Sequence, residues 1–216
     1  GWWQQEIANT YQDKASHPIT KALAPFIKEH DLAMNSFNEY IESTQCLITN
    51  CRFDTFQDYL VFTMHCAGLR EWLIAQVLTP NAIDEQQKLF QLALCIDLID
   101  QLKQCRNKLS KGYIFFDNKT LATFSIARRD LLTLKTPIKF SELVSDHCQK
   151  ARAAFEGTFT KLSKQQKKQL RPIIVRCVLG LKWCDSIKEE DYQIMQKHIS
   201  LTPIRKWLFA LFSRKN

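Results

Sequence analysis

Asp97, Asp100, Gln101, Gln104 and Lys108 stand at i, i+3, i+4, i+7 and i+11, so a helix through them presents all five along one narrow face. Carboxylates one turn apart can share a divalent cation. An ammonium on the same face either pairs with those acids or meets an anion as a point charge. The rest of the helix decides what that face means. Leu89, Phe90, Leu92, Leu94, Ile96, Leu98, Ile99 and Leu102 make it apolar almost all round, as in a helix enclosed by others. Polar groups inside such a girdle need partners, a ligand or a water-filled space. The stripe is either a solvent face or the polar wall of an internal cavity, and the girdle favours the cavity.

The elements that must position this face are helical by composition. The chain has 216 residues, 45% of them hydrophobic and 11% aromatic, with only five Gly and six Pro. That suffices for one domain with a substantial core and favours helices over a turn-rich β fold. Periodicity and breakers predict helices near 2–14, 20–29, 35–50, 54–78, 82–110, 140–162, 164–188, 190–198 and 202–214. Asp54 and Asn81 are the expected N-caps of the two central helices, with Asp84 and Glu85 in the first turn of the second. Pro18 and Pro80 interrupt helices, Gly112 stops one, and residues 112–119 are expected to be a non-helical connection. No repeat, linker or composition break divides the chain, so residues 1–216 are predicted to be a single helical domain. The opening Gly1-Trp2-Trp3-Gln4 reads as the middle of a pattern, and the native protein is expected to extend upstream.

Eight cysteines are scattered without a CxxC pair, which speaks against structural zinc. They are expected to be mostly buried, reduced thiols in the cytoplasm or another reducing compartment. No apolar run reaches bilayer-spanning length. The formal net charge is +8. A basic run from Lys161 to Lys168 reads as solvated surface, and without a recognised nucleic-acid motif no nucleic-acid partner is expected. In the tail, Ile204, Trp207, Leu208, Leu211 and Phe212 form a stripe, with Arg205, Lys206, Arg214 and Lys215 alongside. Such a segment over 202–214 either contacts a membrane surface peripherally or docks its stripe on the core. His65, in an apolar stretch, is expected to be a core histidine. Arg70 and Glu71 are expected to pair with neighbours.

The order of several short motifs resembles the squalene/phytoene synthase family. Trp2-Trp3-Gln4-Gln5-Glu6-Ile7 is similar to its WWxxEI/L element, and His17-Pro18-Ile19-Thr20-Lys21-Ala22-Leu23 to HPVxxAL. Arg52-Phe53, Thr55-Phe56, Tyr59 and Cys66-Ala67-Gly68 resemble RYxTFxxLxxYxxxVAG. Gly112-Tyr113-Ile114-Phe115-Phe116 is similar to GRIYLP, and Leu121-Ala122-Thr123-Phe124-Ser125-Ile126 to LxxFGV. Asp191-Tyr192 and the run Ile199 to Trp207 resemble the GYDVLxxRVSLSxxRKL ending of bacterial members. The resemblance implies an all-α isoprenoid synthase-like helical bundle around a central cavity, and the joining of two prenyl diphosphates head to head. Asp-rich motifs would hold Mg²⁺ against the diphosphate. It also implies cavity-lining positions at Tyr59, Ala67, Gly68, Asp97, Asp100, Gln101 and Phe115.

The departures from the family pattern bear on activity. Counted back from Gly112, the DxxED motif falls on residues 104–108, with Gln104 and Lys108 where the metal-binding aspartates belong. The preceding Gln and Asn fall on Asp97 and Asp100, and Tyr113 replaces the usual arginine. Family spacing puts the first Asp-rich motif, and with it the N-terminal helices of the bundle, upstream of Trp2. An ammonium where Mg²⁺ should sit repels the metal. The expectation is therefore a non-catalytic, cofactor-free protein that binds a prenyl diphosphate, another isoprenoid lipid or a protein partner, as in the family branch associated with respiratory complex I assembly. Two alternatives stay open. One is an active, Mg²⁺-dependent prenyltransferase with a relocated site at Asp97 and Asp100. The other is a structural domain whose cavity has filled.

Overall fold

The computed structural model describes residues 1–48, 51–79, 86–133 and 136–212. The described regular structure is helical. An outer layer comprises α1 (Trp2–Tyr11), α2 (Pro18–Glu29) and α3 (Met34–Ile48). Then α4 (Phe56–Thr63) runs through a π-helical turn at Met64–Gly68 into α5 (Leu69–Leu78). The central rod is α6 (Gln86–Lys103), extended by α7 (Cys105–Ser110). Short helices α8 (Asn118–Thr123) and α9 (Arg128–Leu132) lead to α10 (Phe140–Phe159). The chain closes with α11 (Lys164–Gln169), α12 (Arg171–Glu189) and α13 (Pro203–Phe212). The expectations at Pro80, Asn81, Asp84, Glu85, Arg214 and Lys215, and for the side chains of Leu211 and Phe212, fall outside the described residues.

The girdle read from the sequence is what makes α6 central. Leu89, Leu92, Ile96, Leu98, Ile99 and Leu102 are all buried, and α10, α12 and the π turn pack around them. The buried core is contiguous from Phe53 to Leu201. Glycine permits two close approaches to this rod. A Cβ on Gly68 would stand 2.7 Å from Phe90 Cδ1, and one on Gly180 would stand 2.8 Å from Ile99 Cδ1. No described helix is long and apolar enough to cross a membrane.

Several local expectations are corrected. The N-cap of α4 is Thr55 rather than Asp54: its hydroxyl accepts from Asp58 N at 3.3 Å, while the Asp58 carboxylate accepts from Thr55 N at 2.8 Å. The predicted helix to residue 110 breaks at Gln104, and the predicted helix from 164 breaks at Leu170, after which α12 starts with Pro172 in its first turn. Residues 190–198 are turns instead of a helix. Asp191 and Tyr192 both have positive φ, and Tyr192 N donates back to Ile187 O at 2.7 Å. Helices α8 and α9 were not anticipated. Gly112 ends α7 with φ of 83°, as a stop should. Six cysteines are free and buried. Cys46 and Cys51 are joined in a disulfide, an exception to the expectation of free thiols.

Candidate functional site

The site grows from the meeting of α4 with the middle of α6. Tyr59 sits one helical turn before Thr63, so both hydroxyls face α6 at the level of Asp97. Tyr59 is 2% exposed, wedged between Phe53 and Phe56, and its hydroxyl donates to Asp97 Oδ2 at 2.5 Å. Thr63 Oγ1 lies 3.4 Å from the same oxygen. One turn along α6, Gln101 Nε2 donates to Asp97 Oδ1 at 3.3 Å, and the Gln101 carbonyl oxygen accepts from Lys108 Nζ. The result is a continuous polar line, Tyr59–Asp97–Gln101–Lys108, across α4, α6 and α7.

Burial dominates the electrostatics of that line. It raises the Asp97 carboxyl above the usual aspartate value, although the Tyr59 and Gln101 hydrogen bonds and the Lys108 and Arg70 charges pull the other way. Burial likewise lowers the Lys108 ammonium, against the attraction of Asp97 and Asp100. Tyr59 is pushed well above its ordinary value, first by burial and then by the Asp97 charge. Acid and base are both driven toward neutrality, as expected where two charges are shielded from water without touching.

Asp100 turns away from this line. Its carboxylate lies 3.6 Å from Lys103 Nζ, each side chain about two-fifths exposed (41% and 39%). There it lines a cleft of roughly 880 Å³ between α6–α7, α12, the 194–201 turns and the start of α13. Lys103, Arg106, Arg176, Lys197 and Lys206 border the cleft, while Ile96, Ile99, Leu179, Trp183 and Leu201 supply apolar wall. Among the described residues the only carboxylate lining it is Asp100. A space of this size with apolar walls and a cationic border suits an amphiphile with an anionic head.

The structure therefore divides the residues that the sequence grouped on one face. It joins Asp97 and Gln101 to Tyr59 and Lys108, sends Asp100 to the cleft, and leaves Gln104 exposed at the helix break. Ala67 and Gly68 are buried in the π turn beside α6. Phe115 packs on Phe116, with His147 at its edge. His65 is not a core histidine: its side chain is 55% exposed and lies 3.9 Å from Glu39. The buried histidine is His147, which burial lowers to about 4. Arg70 and Glu71 do pair with neighbours, for Glu71 is wholly buried and receives Arg70 and Arg176. Sequence reasoning missed Thr63, Arg176, Trp183 and Lys197. Thr63 was within reach, one turn from Tyr59. The other three lie tens of residues from α6, and no local spacing joins them to it.

These residues do not fit a divalent cation at Asp97 and Asp100. Asp97 is engaged by a phenol and an amide, with an ammonium behind the amide, while Asp100 has Lys103 as its near charge. Among the described residues no group of three His, Cys, Asp or Glu side chains converges as a metal site.

A family model described as squalene/phytoene synthase matches residues 1–207. The chloroplastic phytoene synthase 2 of Solanum lycopersicum is 16% identical over 212 residues, 95% of this chain and 68% of the relative. The crystal structure of squalene synthase HpnC from Alicyclobacillus acidocaldarius superposes with a TM-score of 0.75 at 15% identity, covering 88% of this chain and 72% of that one. A dehydrosqualene synthase crystallised with a ligand gives a TM-score of 0.84 at 13% identity, covering 98% and 75%. At such identity the two structures establish a shared fold.

Proposed function

The chain belongs to the squalene/phytoene synthase family, whose members are prenyltransferases in type, and from that premise we propose that it binds a prenyl diphosphate or similar anionic isoprenoid lipid without a divalent metal, and does not condense two of them. The observation that carries this reading is the Tyr59–Asp97–Gln101–Lys108 line. Condensation begins by ionising an allylic diphosphate, which needs strong cationic stabilisation of the leaving group. Here the acid that could recruit a metal is occupied, and a lysine stands where the family pattern has an aspartate. An ammonium neutralises one charge of a diphosphate and holds it as a point charge. It offers none of the geometric bridging a metal pair gives. The cationic border of the neighbouring cleft supports the same ligand class.

The test is calorimetry of farnesyl and geranylgeranyl diphosphate against the native full-length protein, with and without Mg²⁺, beside Lys108→Asp. Binding that is unaffected by Mg²⁺ in the native protein and weakened in Lys108→Asp is the expected result. Tight binding only with Mg²⁺ would return the protein to the condensing enzymes and call for product analysis. Metal-dependent binding confined to Lys108→Asp would mean a retained cavity that the native protein does not use. If neither protein binds, the prenyl ligand is wrong and a protein partner becomes the object of search.

A further inference from the structure

Helix α13 is apolar on two opposed sides. At about 3.6 residues per turn, Phe209 and Ala210 point one way, and Ile204, Trp207 and Leu208 point the other. The first side is docked: Phe209 packs on the core cluster, with Lys182 Nζ 5.6 Å above its ring, and Ala210 is half-buried toward α12. The second side is the more open one among the described residues. Ile204 is 71% exposed, Trp207 64% and Leu208 38%. Of the stripe seen in the sequence, Ile204 and Trp207 are thus not what fastens the helix to the core; Phe209, outside that stripe, packs there.

An apolar ridge on an otherwise docked helix needs an occupant, and the charge around it selects one. Arg205 lies beside the ridge on α13. Lys206 faces inward and borders the cleft with Lys103, Arg106 and Lys197. The whole chain carries a formal net charge of +8. Pairing with a second copy through a two-fold axis would set Arg205 and its neighbours against themselves. Three side chains also fall far short of the ~800 Å² per partner of a stable dimer. A tryptophan and two aliphatic side chains with Arg205 beside them suit the boundary between acyl chains and anionic headgroups.

We propose that α13 is an interfacial helix that rests the protein on an anionic lipid bilayer through Ile204, Trp207 and Leu208. In that pose the cleft bordered by Lys206 lies next to the headgroup layer. The exposure of this helix face does not depend on what the cleft binds.

The experiment is co-sedimentation of the intact chain with vesicles of phosphatidylcholine alone and of phosphatidylcholine with phosphatidylserine. It is run beside a double variant, Ile204→Ser with Trp207→Ser, and beside Arg205→Glu. Circular dichroism and melting should be unchanged in both variants, because the altered positions are exposed. The expected result is binding to the anionic vesicles, reduced about tenfold or more in the double variant and reduced in Arg205→Glu on anionic vesicles only. Three results would overturn the proposal: no binding by the parent chain to either vesicle, equal binding by the double variant, or a parent dimer in light scattering that the double variant dissolves.

Discussion

Glu71 on α5 and Asp97 on α6 are both acids held inside the bundle with a cation nearby, and they are satisfied in opposite ways. Glu71 is sealed at 0% exposure and takes two oxygens' worth of contact directly from one guanidinium, with Arg176 Nη1 at 2.7 and 2.9 Å, plus Arg70 Nε at 3.0 Å. Asp97 keeps some solvent contact and meets its lysine only through the Gln101 amide. In the first cluster the carboxylate is fully engaged by guanidinium groups, so it acts as a staple between α5 and α12. In the second, an ammonium remains with charge to offer, and burial pushes the acid up rather than stabilising it as an anion. Direct pairing makes structure; separated pairing leaves a place for a ligand's charge.

The largest effect should come from breaking the staple. Arg176→Met strands a sealed carboxylate on Arg70 alone. The expected loss is about 2–3 kcal/mol, below the full value for a buried pair because Arg176 is itself partly exposed and Arg70 remains. Urea unfolding measures it, and a loss under half of that would mean that Arg70 suffices and the staple is redundant. Next in size is Tyr59→Phe, which removes the shortest donor to Asp97 while keeping the ring between Phe53 and Phe56. The expected cost is about 1–2 kcal/mol, read by the same unfolding curve, with the slope unchanged. A silent Tyr59→Phe would show that Gln101 and water satisfy Asp97 without the phenol.

What the sequence revealed of this contrast was its periodic half. The apolar residues of α6 announced a rod enclosed by helices, and Leu92, Leu98, Ile99 and Leu102 are buried as their spacing required. Punctuation worked where the residue type dictates the backbone, as at Pro18 and Gly112. It failed where tertiary contacts decide. Nothing in Gln104 marks a helix break, nothing between Met64 and Gly68 marks a π turn, and Tyr192 takes a positive φ that aromatic residues seldom adopt. The site was half legible for the same reason. One polar stripe was visible on α6, but the Tyr59 hydroxyl that fixes Asp97 comes from 38 residues away, and the cations that share the Asp100 cleft come from α12, the 194–201 turns and α13. Local spacing cannot encode which of two neighbouring grooves a side chain enters.

Lys108→Met separates the two clusters most cleanly, because it should cost little stability and much binding. Its ammonium is half-buried and hydrogen-bonded to a neutral amide, so removal should change unfolding by about 1 kcal/mol or less. Prenyl diphosphate affinity should fall by roughly tenfold, the scale of one lost charge-assisted contact. Thermal melts and calorimetry on the same sample check both halves. A loss of stability as large as that of Arg176→Met would make Lys108 a second staple and erase the distinction.

A third acid, Glu6, sharpens the comparison because the partners that lower its carboxyl are neutral donors rather than cations. It is 3% exposed and accepts from Ser16 N, His17 N, Thr20 Oγ1 and Ser16 Oγ at 2.6 to 2.8 Å. Those donors, the His17 N–H foremost and then the Thr20 and Ser16 hydroxyls, lower its carboxyl from 4.5 to about 2. A depressed folded-state value means that the unfolded chain binds the proton first. The stability from Glu6 is then complete above pH 4.5 and disappears as the pH falls through about 2. Glu6→Gln should therefore melt lower than the parent at pH 7, with the gap closing across that acid window. Asp97 is shifted the other way, so the folded state penalises its ionised form. That penalty develops as pH rises from 3.8 through its raised value, so the difference between the parent and Asp97→Asn should move in the parent's favour on acidification. Melts of both pairs from neutral to acid pH, with opposite trends, would confirm that neutral donors anchor one acid while burial strains the other. Parallel trends would mean that Asp97 is a settled anion like Glu6, and the case for a ligand's charge at Lys108 would lose its electrostatic basis.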